Sequence, residues 1–228
     1  MNITLLQNAT PIAPRRKPRA LYLLLLLSLL LPYFASSQVL ELSPFVGYRL
    51  GGKINTDNPS AGNLLVPNLD IKNTGLYGLH ADINISKTIQ ISVAGDIQST
   101  QLEEDPRDGN PNEKVFDLDV SYLQGGVTIQ HPNRPLTGYV SIMAGATFLT
   151  PKQNFESTVK GSGSMALGGR FYFAERFGVR LQMRVFSTFI GSDQDLFCDR
   201  DDQVCYQFTN STFMTQLDFT TGLTILLF

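Results

Sequence analysis

The sequence predicts an all-β fold, eight antiparallel strands closed up-and-down into a barrel, and three observations carry that reading. Apolar and polar residues alternate with period two along eight separate stretches, while helical periodicity is almost absent. The connections between those stretches alternate without exception, long and polar after the odd-numbered runs and short after the even-numbered ones. The last of the 228 residues belong to an apolar strand-like run, FTTGLTILLF.

Taken in order, the first run, 39–52, aligns Leu40, Leu42, Val46, Tyr48 and Leu50 against Glu41 and Arg49. The second, 74–85, sets Tyr77, Leu79, Ala81 and Ile83 against Gly78, His80 and Asp82. IQISVAGDIQ follows, with Ile89, Ile91, Val93 and Ile97 opposite a face carrying Asp96. The fourth, 115–130, opens with Phe116, Leu118, Val120 and Tyr122 on the apolar face and Asp117 and Asp119 on the other. It then changes parity to Leu123, Val127 and Ile129, which predicts a β-bulge near Tyr122–Gly125. The fifth, 139–149, aligns Val140, Ile142, Ala144, Ala146 and Phe148. The sixth, 164–173, aligns Met165, Leu167, Phe171 and Phe173, with Arg170 opposed. In the seventh, 177–189, Phe177 to Phe189 alternate with Arg180 and Arg184, and the eighth, 213–228, places Phe213, Leu217, Phe219 and Leu223 against Asp218. The long connections are 53–73, 102–114, 150–163 and 190–212; the short ones are Ser86-Lys87-Thr88, 131–135 and Ala174-Glu175-Arg176.

Alternation leaves open which face is inside. A soluble lipocalin-like carrier would turn the apolar face inward around a ligand. A transmembrane barrel turns it outward to lipid, with tight periplasmic turns on one rim and long extracellular loops on the other. Aromatics near the strand ends favour the second, as two girdles at the membrane interfaces. Tyr48, Tyr77, Phe116, Phe148, Phe189 and Phe213 fall by the long-loop rim, and Phe173 and Phe177 by the short-turn rim.

The N-terminal region fits export. Arg15-Arg16-Lys17-Pro18-Arg19 precedes LYLLLLLSLLL and then PYFASSQ, the basic, apolar and small-residue regions of a signal peptide cleaved after Ser37. The apolar run is 14 residues long, short of the ~20 needed by a spanning helix. The expected domains are therefore a signal peptide over 1–37 and a barrel over 38–228. Without 1–37, which holds four basic and no acidic residues, 14 Lys+Arg stand against 20 Asp+Glu, a net charge of −6. That excludes a basic stripe for nucleic acid.

Together these features resemble the small eight-stranded outer-membrane β-barrel proteins of Gram-negative bacteria, a porin-like family, over essentially all of 38–228. The resemblance implies an outer-membrane location, the lipid bilayer as surroundings, a monomer, and folding by the barrel-assembly machinery. In that family a terminal Phe belongs to the signal read by that machinery, and Phe228 matches it by position. Leu223, Ile225 and Leu227 are out of phase with Phe228, a departure from the family's usual pattern.

Eight strands leave an interior just wide enough for side chains. Glu41, Arg49, His80, Asp82, Asp96, Asp117, Asp119, Arg170, Arg180, Arg184 and Asp218 would face it. A three-residue turn at 174–176 would set Arg170 directly opposite Arg180. The arginines are therefore expected to reach across to the aspartates in a charge-assisted network.

Catalytic chemistry is not expected. Some barrels of the resembled group are lipid-modifying enzymes, one class using a Ser/His pair facing lipid. Here His80 falls on the polar face and His131 in a short turn, and no nucleophile, zinc or phosphate motif occurs. No cofactor is implied. Cys198 and Cys205, in an exported chain, predict a disulfide in the last long loop. Asp199, Asp201 and Asp202 between them offer a weak Ca²⁺ set whose spacing is not an EF-hand's. The expected function is a non-enzymatic structural or surface-interaction role through the loops; a narrow pore or small-solute or lipophile transporter is the alternative.

Overall fold

A computed structural model describes residues 40–55, 68–104, 113–152, 156–191, 194–198, 205–208 and 213–227. Residues 1–37, expected to be a signal peptide, and Phe228, Asp199, Asp201 and Asp202 lie outside the described residues. Among the described residues there are twelve strands: β1 (Leu40–Gly51), β2 (Lys53–Asn55), β3 (Asn68–Ile71), β4 (Thr74–Asn84), β5 (Ile89–Glu104), β6 (Glu113–His131), β7 (Leu136–Pro151), β8 (Thr158–Tyr172), β9 (Phe177–Phe189), β10 (Gln194–Cys198), β11 (Cys205–Phe208) and β12 (Phe213–Leu226). Eight of them, β1, β4 to β9 and β12, each pair antiparallel with their neighbours in this series, and β12 pairs with β1. The result is a closed up-and-down barrel, which leaves no unpaired edge within it.

The even strand turns are short and hydrogen-bonded. Ile85 N and Ser86 N both donate to Ile89 O, and Phe173 N and Ala174 N donate to Phe177 O. The long connections hold structure of their own. β2 and β3 form a hairpin whose β3 extends the sheet along β5, with Ile71 opposite Leu102. β1 leaves the barrel through Gly51 and Gly52, at φ of 82° and 119°, a left-handed conformation that side-chain-bearing residues rarely adopt. The Gly51 N–H donates to Asn73 Oδ1 at 2.8 Å.

Two expectations are corrected here. β6 carries no bulge at Tyr122–Gly125: Ser121, Tyr122, Leu123, Gln124 and Gly125 pair in unbroken register with Ile97, Asp96, Gly95, Ala94 and Val93. The one register shift between β5 and β6 falls at Leu102/Glu103. The disulfide is also not found, since no disulfide bond is present among the described residues. Cys198 and Cys205 are Cα partners in the β10–β11 hairpin.

The parity change in β6 has a different cause. Phe116, Leu118, Val120 and Tyr122 point inward and are all but fully buried, whereas Leu123, Val127 and Ile129 point outward and are exposed. A strand of strict period two changes its apolar face only if the medium outside it changes. Beyond Ser121, toward the long connections, the exterior is polar and the interior apolar. On the other side of that level the exterior is apolar and the interior polar.

Candidate functional site

Inside the apolar belt the barrel lumen holds two layers of ion pairs. The layer nearer the short turns is built on β1, β4, β8 and β9. Arg180 Nη1 donates to Asp82 Oδ2 at 2.6 Å, and Arg170 Nη2 to the same oxygen at 3.1 Å. Arg170 Nη1 lies 3.3 Å from Glu41 Oε2 and donates to Gln90 and Gln130. Arg170 and Arg180 are direct cross-strand partners, a like-charge juxtaposition that costs stability on its own. Both stack on the Tyr139 ring, each at 4.7 Å from its centroid. Gly168 makes this possible, because a Cβ there would sit 2.4 Å from the Tyr139 ring.

The second layer lies toward the long connections. Arg49 Nε and Nη2 hold Asp218 in a two-pronged grip at 2.6 and 2.8 Å, and Nη2 also reaches Asp96 Oδ1 at 2.6 Å. Arg184 Nη2 donates to Asp96 Oδ2 at 2.8 Å and lies 3.4 Å from Asp218 Oδ2. Each layer therefore contains two arginines and two carboxylates and is neutral, with every one of the eight residues at most 3% exposed. Buried charge is tolerated on those terms, since an unpaired member would keep its desolvation cost without a partner.

Phe45 and His80 sit between the layers, ring centroids 4.8 Å apart. His80 is buried in the interior, but neither ring nitrogen hydrogen-bonds to another described residue; it packs against Phe45 rather than joining the network. Above the second layer, Tyr122 and Phe186 close over Arg49, with centroids 4.7 and 4.8 Å from its Cζ. Beyond them lies an apolar cluster that includes Ile71, Leu102, Phe116, Leu118, Leu149 and Met214.

Asp117 and Asp119 do not enter the lumen, a correction that follows from the inverted parity of β6. Both lie on the outer face beyond Ser121. There Asp117 pairs with Lys114 at 2.9 Å, and Asp119 with Lys152 at 3.0 Å. The hydrogen bond from Lys114 holds the Asp117 carboxyl below the usual carboxylate range. For the same reason Phe116 is not a girdle residue but part of the interior cluster. The remaining girdle positions, Tyr48, Tyr77, Phe148, Phe173, Phe177, Phe189 and Phe213, are all exposed on the exterior. With Leu181, Ile142 and Ile129, each 60% exposed or more, they form a continuous apolar belt around a charged interior, the arrangement that hydrocarbon surroundings select.

Tyr139, Tyr122, Phe45 and Gln182 were not foreseen as members of the interior. Parity held the signal, since Phe45 shares its face with Glu41 and Arg49, and Gln182 lies between Arg180 and Arg184. Among the described residues no group of three or more His, Cys, Asp or Glu side chains is placed to hold a metal ion.

No protein-family model and no curated protein matches the chain. Solved structures do. The Neisserial surface protein NspA superposes with a TM-score of 0.50 at 7% identity, over 84% of this chain and 98% of its own. The outer membrane protein OprG from Pseudomonas aeruginosa gives 0.52 at 10% identity, over 84% and 96%. The outer membrane protein AlkL, solved in lipid bilayers, gives 0.50 at 12% identity, over 97% of both chains. At these identities the likeness establishes the fold, an eight-stranded barrel of the kind found in Gram-negative outer membranes.

Proposed function

We propose that the chain is an exported outer-membrane barrel that acts as a closed, non-enzymatic pedestal. Residues 1–37 direct its export, and the barrel then holds its extracellular strand extensions and loops at the cell surface as an interaction platform. The observation that carries this reading is the filled lumen. Two neutral ion-pair layers span it with bonds of 2.6–3.4 Å, and an apolar cluster lies above them. Moving a hydrated ion through would require opening fully buried charge pairs. The apolar belt and the fold shared with outer membrane proteins support the location.

The platform is built as an extension of the barrel itself. β5 and β6 continue past the membrane level of Ser121, and β3 adds to β5 there. Its interior is apolar and its exterior charged, so it is a small sheet layer suited to water, standing on a membrane base. Single-channel recording of the purified barrel in planar bilayers tests the reading. Absence of unit conductance is the expected result; steady conductance that rises with salt would replace the pedestal with the narrow-pore alternative.

A further inference from the structure

The rim formed by the short turns carries a charge pattern that neither the lumen nor the loops explain. Residues 38–228 bear a net charge of −6, and the two lumenal layers each sum to zero. The three short turns hold Lys87, Arg134 and Arg176 against Glu175 alone, a net +2, which leaves −8 for the side of the long connections. In a chain with an excess of acid, the short-turn rim is the basic end. Glu175 adjoins Arg176 and offsets it, so the positive charge belongs to the β4–β5 and β6–β7 turns, which contain no carboxylate.

The two ends also differ in how their cations are held. Toward the long connections Lys72, Lys114 and Lys152 each pair with a carboxylate, at 3.0, 2.9 and 3.0 Å. Lys87 and Arg134 are exposed, and neither forms an ion pair with another described residue. Their turns are fixed through the backbone instead. Gln130 N donates to Thr88 O at 2.8 Å and Gln130 Nε2 to Lys87 O at 3.3 Å, while Tyr172 N donates to Pro135 O at 2.9 Å. Arg134 also stacks on the Tyr172 ring, 4.7 Å from its centroid, which leaves the edge of its planar guanidinium free to donate.

Next to each cation, on the membrane side, the exterior is apolar. Ile85 and Ile89 flank Lys87, and Ile129 and Leu136 flank the turn of Arg134; all four are exposed. A soluble anion would satisfy the charge and leave those side chains in water. A lipid satisfies both, since its phosphate lies where its acyl chains begin. We infer that the β4–β5 and β6–β7 turns bind anionic phospholipid headgroups of the leaflet that the short-turn rim faces. The two turns are two strands apart, roughly 10 Å, so Lys87 and Arg134 each meet a headgroup of their own. The inference rests on the barrel spanning a bilayer.

The chain contains no Trp, so a single introduced Trp reports its own surroundings. Leu136→Trp lies two residues from Arg134, and Phe177→Trp lies on the same rim beside the neutral Glu175-Arg176 turn. Each full barrel is reconstituted in phosphatidylcholine vesicles with rising fractions of brominated phosphatidylglycerol, and in parallel with brominated phosphatidylcholine. Bromine quenches Trp only at close range, so the direction of insertion does not affect the reading. At Leu136→Trp phosphatidylglycerol should be preferred about fivefold, the effect of one cation near the surface. The preference should fade in about 1 M salt, where the Debye length is ~3 Å. Arg134→Gln in the same background should erase it while quenching by brominated phosphatidylcholine stays unchanged, and Phe177→Trp should show no preference. Equal quenching by the two lipids at Leu136→Trp, a preference that survives Arg134→Gln, or an equal preference at Phe177→Trp would overturn the inference. Absence of quenching by either brominated lipid would instead count against the membrane reading.

Discussion

Asp82→Asn is the most direct perturbation of the lumen. Asp82 Oδ2 is shared by Arg180 at 2.6 Å and Arg170 at 3.1 Å, and these two arginines are cross-strand partners. The amide nearly matches the carboxylate in size, so packing changes little and charge changes fully. The inner layer would then hold two arginines against Glu41 alone, itself 3.3 Å from Arg170. Breaking a buried pair by neutralising one partner costs about 3–5 kcal/mol. For a domain of this size that lowers Tm by roughly 6–20 °C. The assay is thermal unfolding of the detergent-solubilised barrel, followed by circular dichroism and by the mobility difference between folded and boiled protein on gels. The double variant Asp82→Asn/Arg180→Met should recover part of the loss, because it returns the layer to one arginine and one carboxylate. Asp117→Asn is the control, since its carboxylate faces the exterior, and it should leave Tm unchanged. If Asp82→Asn melted with the wild type, the inner layer would not be holding the barrel together, and the argument from charge pairing would fail.

Further outcomes follow from the change of medium along β6. Val127→Lys places a charge in the apolar belt and should destabilise by about 2–4 kcal/mol, whereas Ser121→Lys, at the boundary, should cost about 0–1 kcal/mol; equal effects in denaturant titrations in vesicles would remove the boundary from Ser121. Phe116→Ala should cost about 3–5 kcal/mol as a cavity in a packed apolar cluster. Phe213→Ala on the lipid-facing exterior should cost clearly less in the same titration.

Much of the fold was legible because period two survives in every barrel strand. Loop lengths gave the up-and-down order, and turn length set Arg170 opposite Arg180, which is their register. What alternation could not show was the medium each face meets. Phe116, Asp117 and Asp119 were therefore assigned to the wrong sides, and a bulge was invoked where β6 runs straight across the boundary between hydrocarbon and water. The strand extensions β2, β3, β10 and β11 were read as loops because short runs among polar residues give too few alternations to register. Tyr139 was passed over for a different reason. Its position depends on Gly168 across the pair with β8, and a steric vacancy on a neighbouring strand leaves no mark in one strand's own pattern.

The separate neutrality of the two ion-pair layers has an electrical consequence. A potential across a membrane does work of about 2.3 kcal/mol per elementary charge per 100 mV, but only on net charge displaced along the field. Arg49, Arg184, Asp96 and Asp218 sum to zero at one depth, and Arg170, Arg180, Glu41 and Asp82 sum to zero at another. A shift of either layer as a unit thus carries no gating charge, and the barrel core is blind to voltage despite holding eight buried ions.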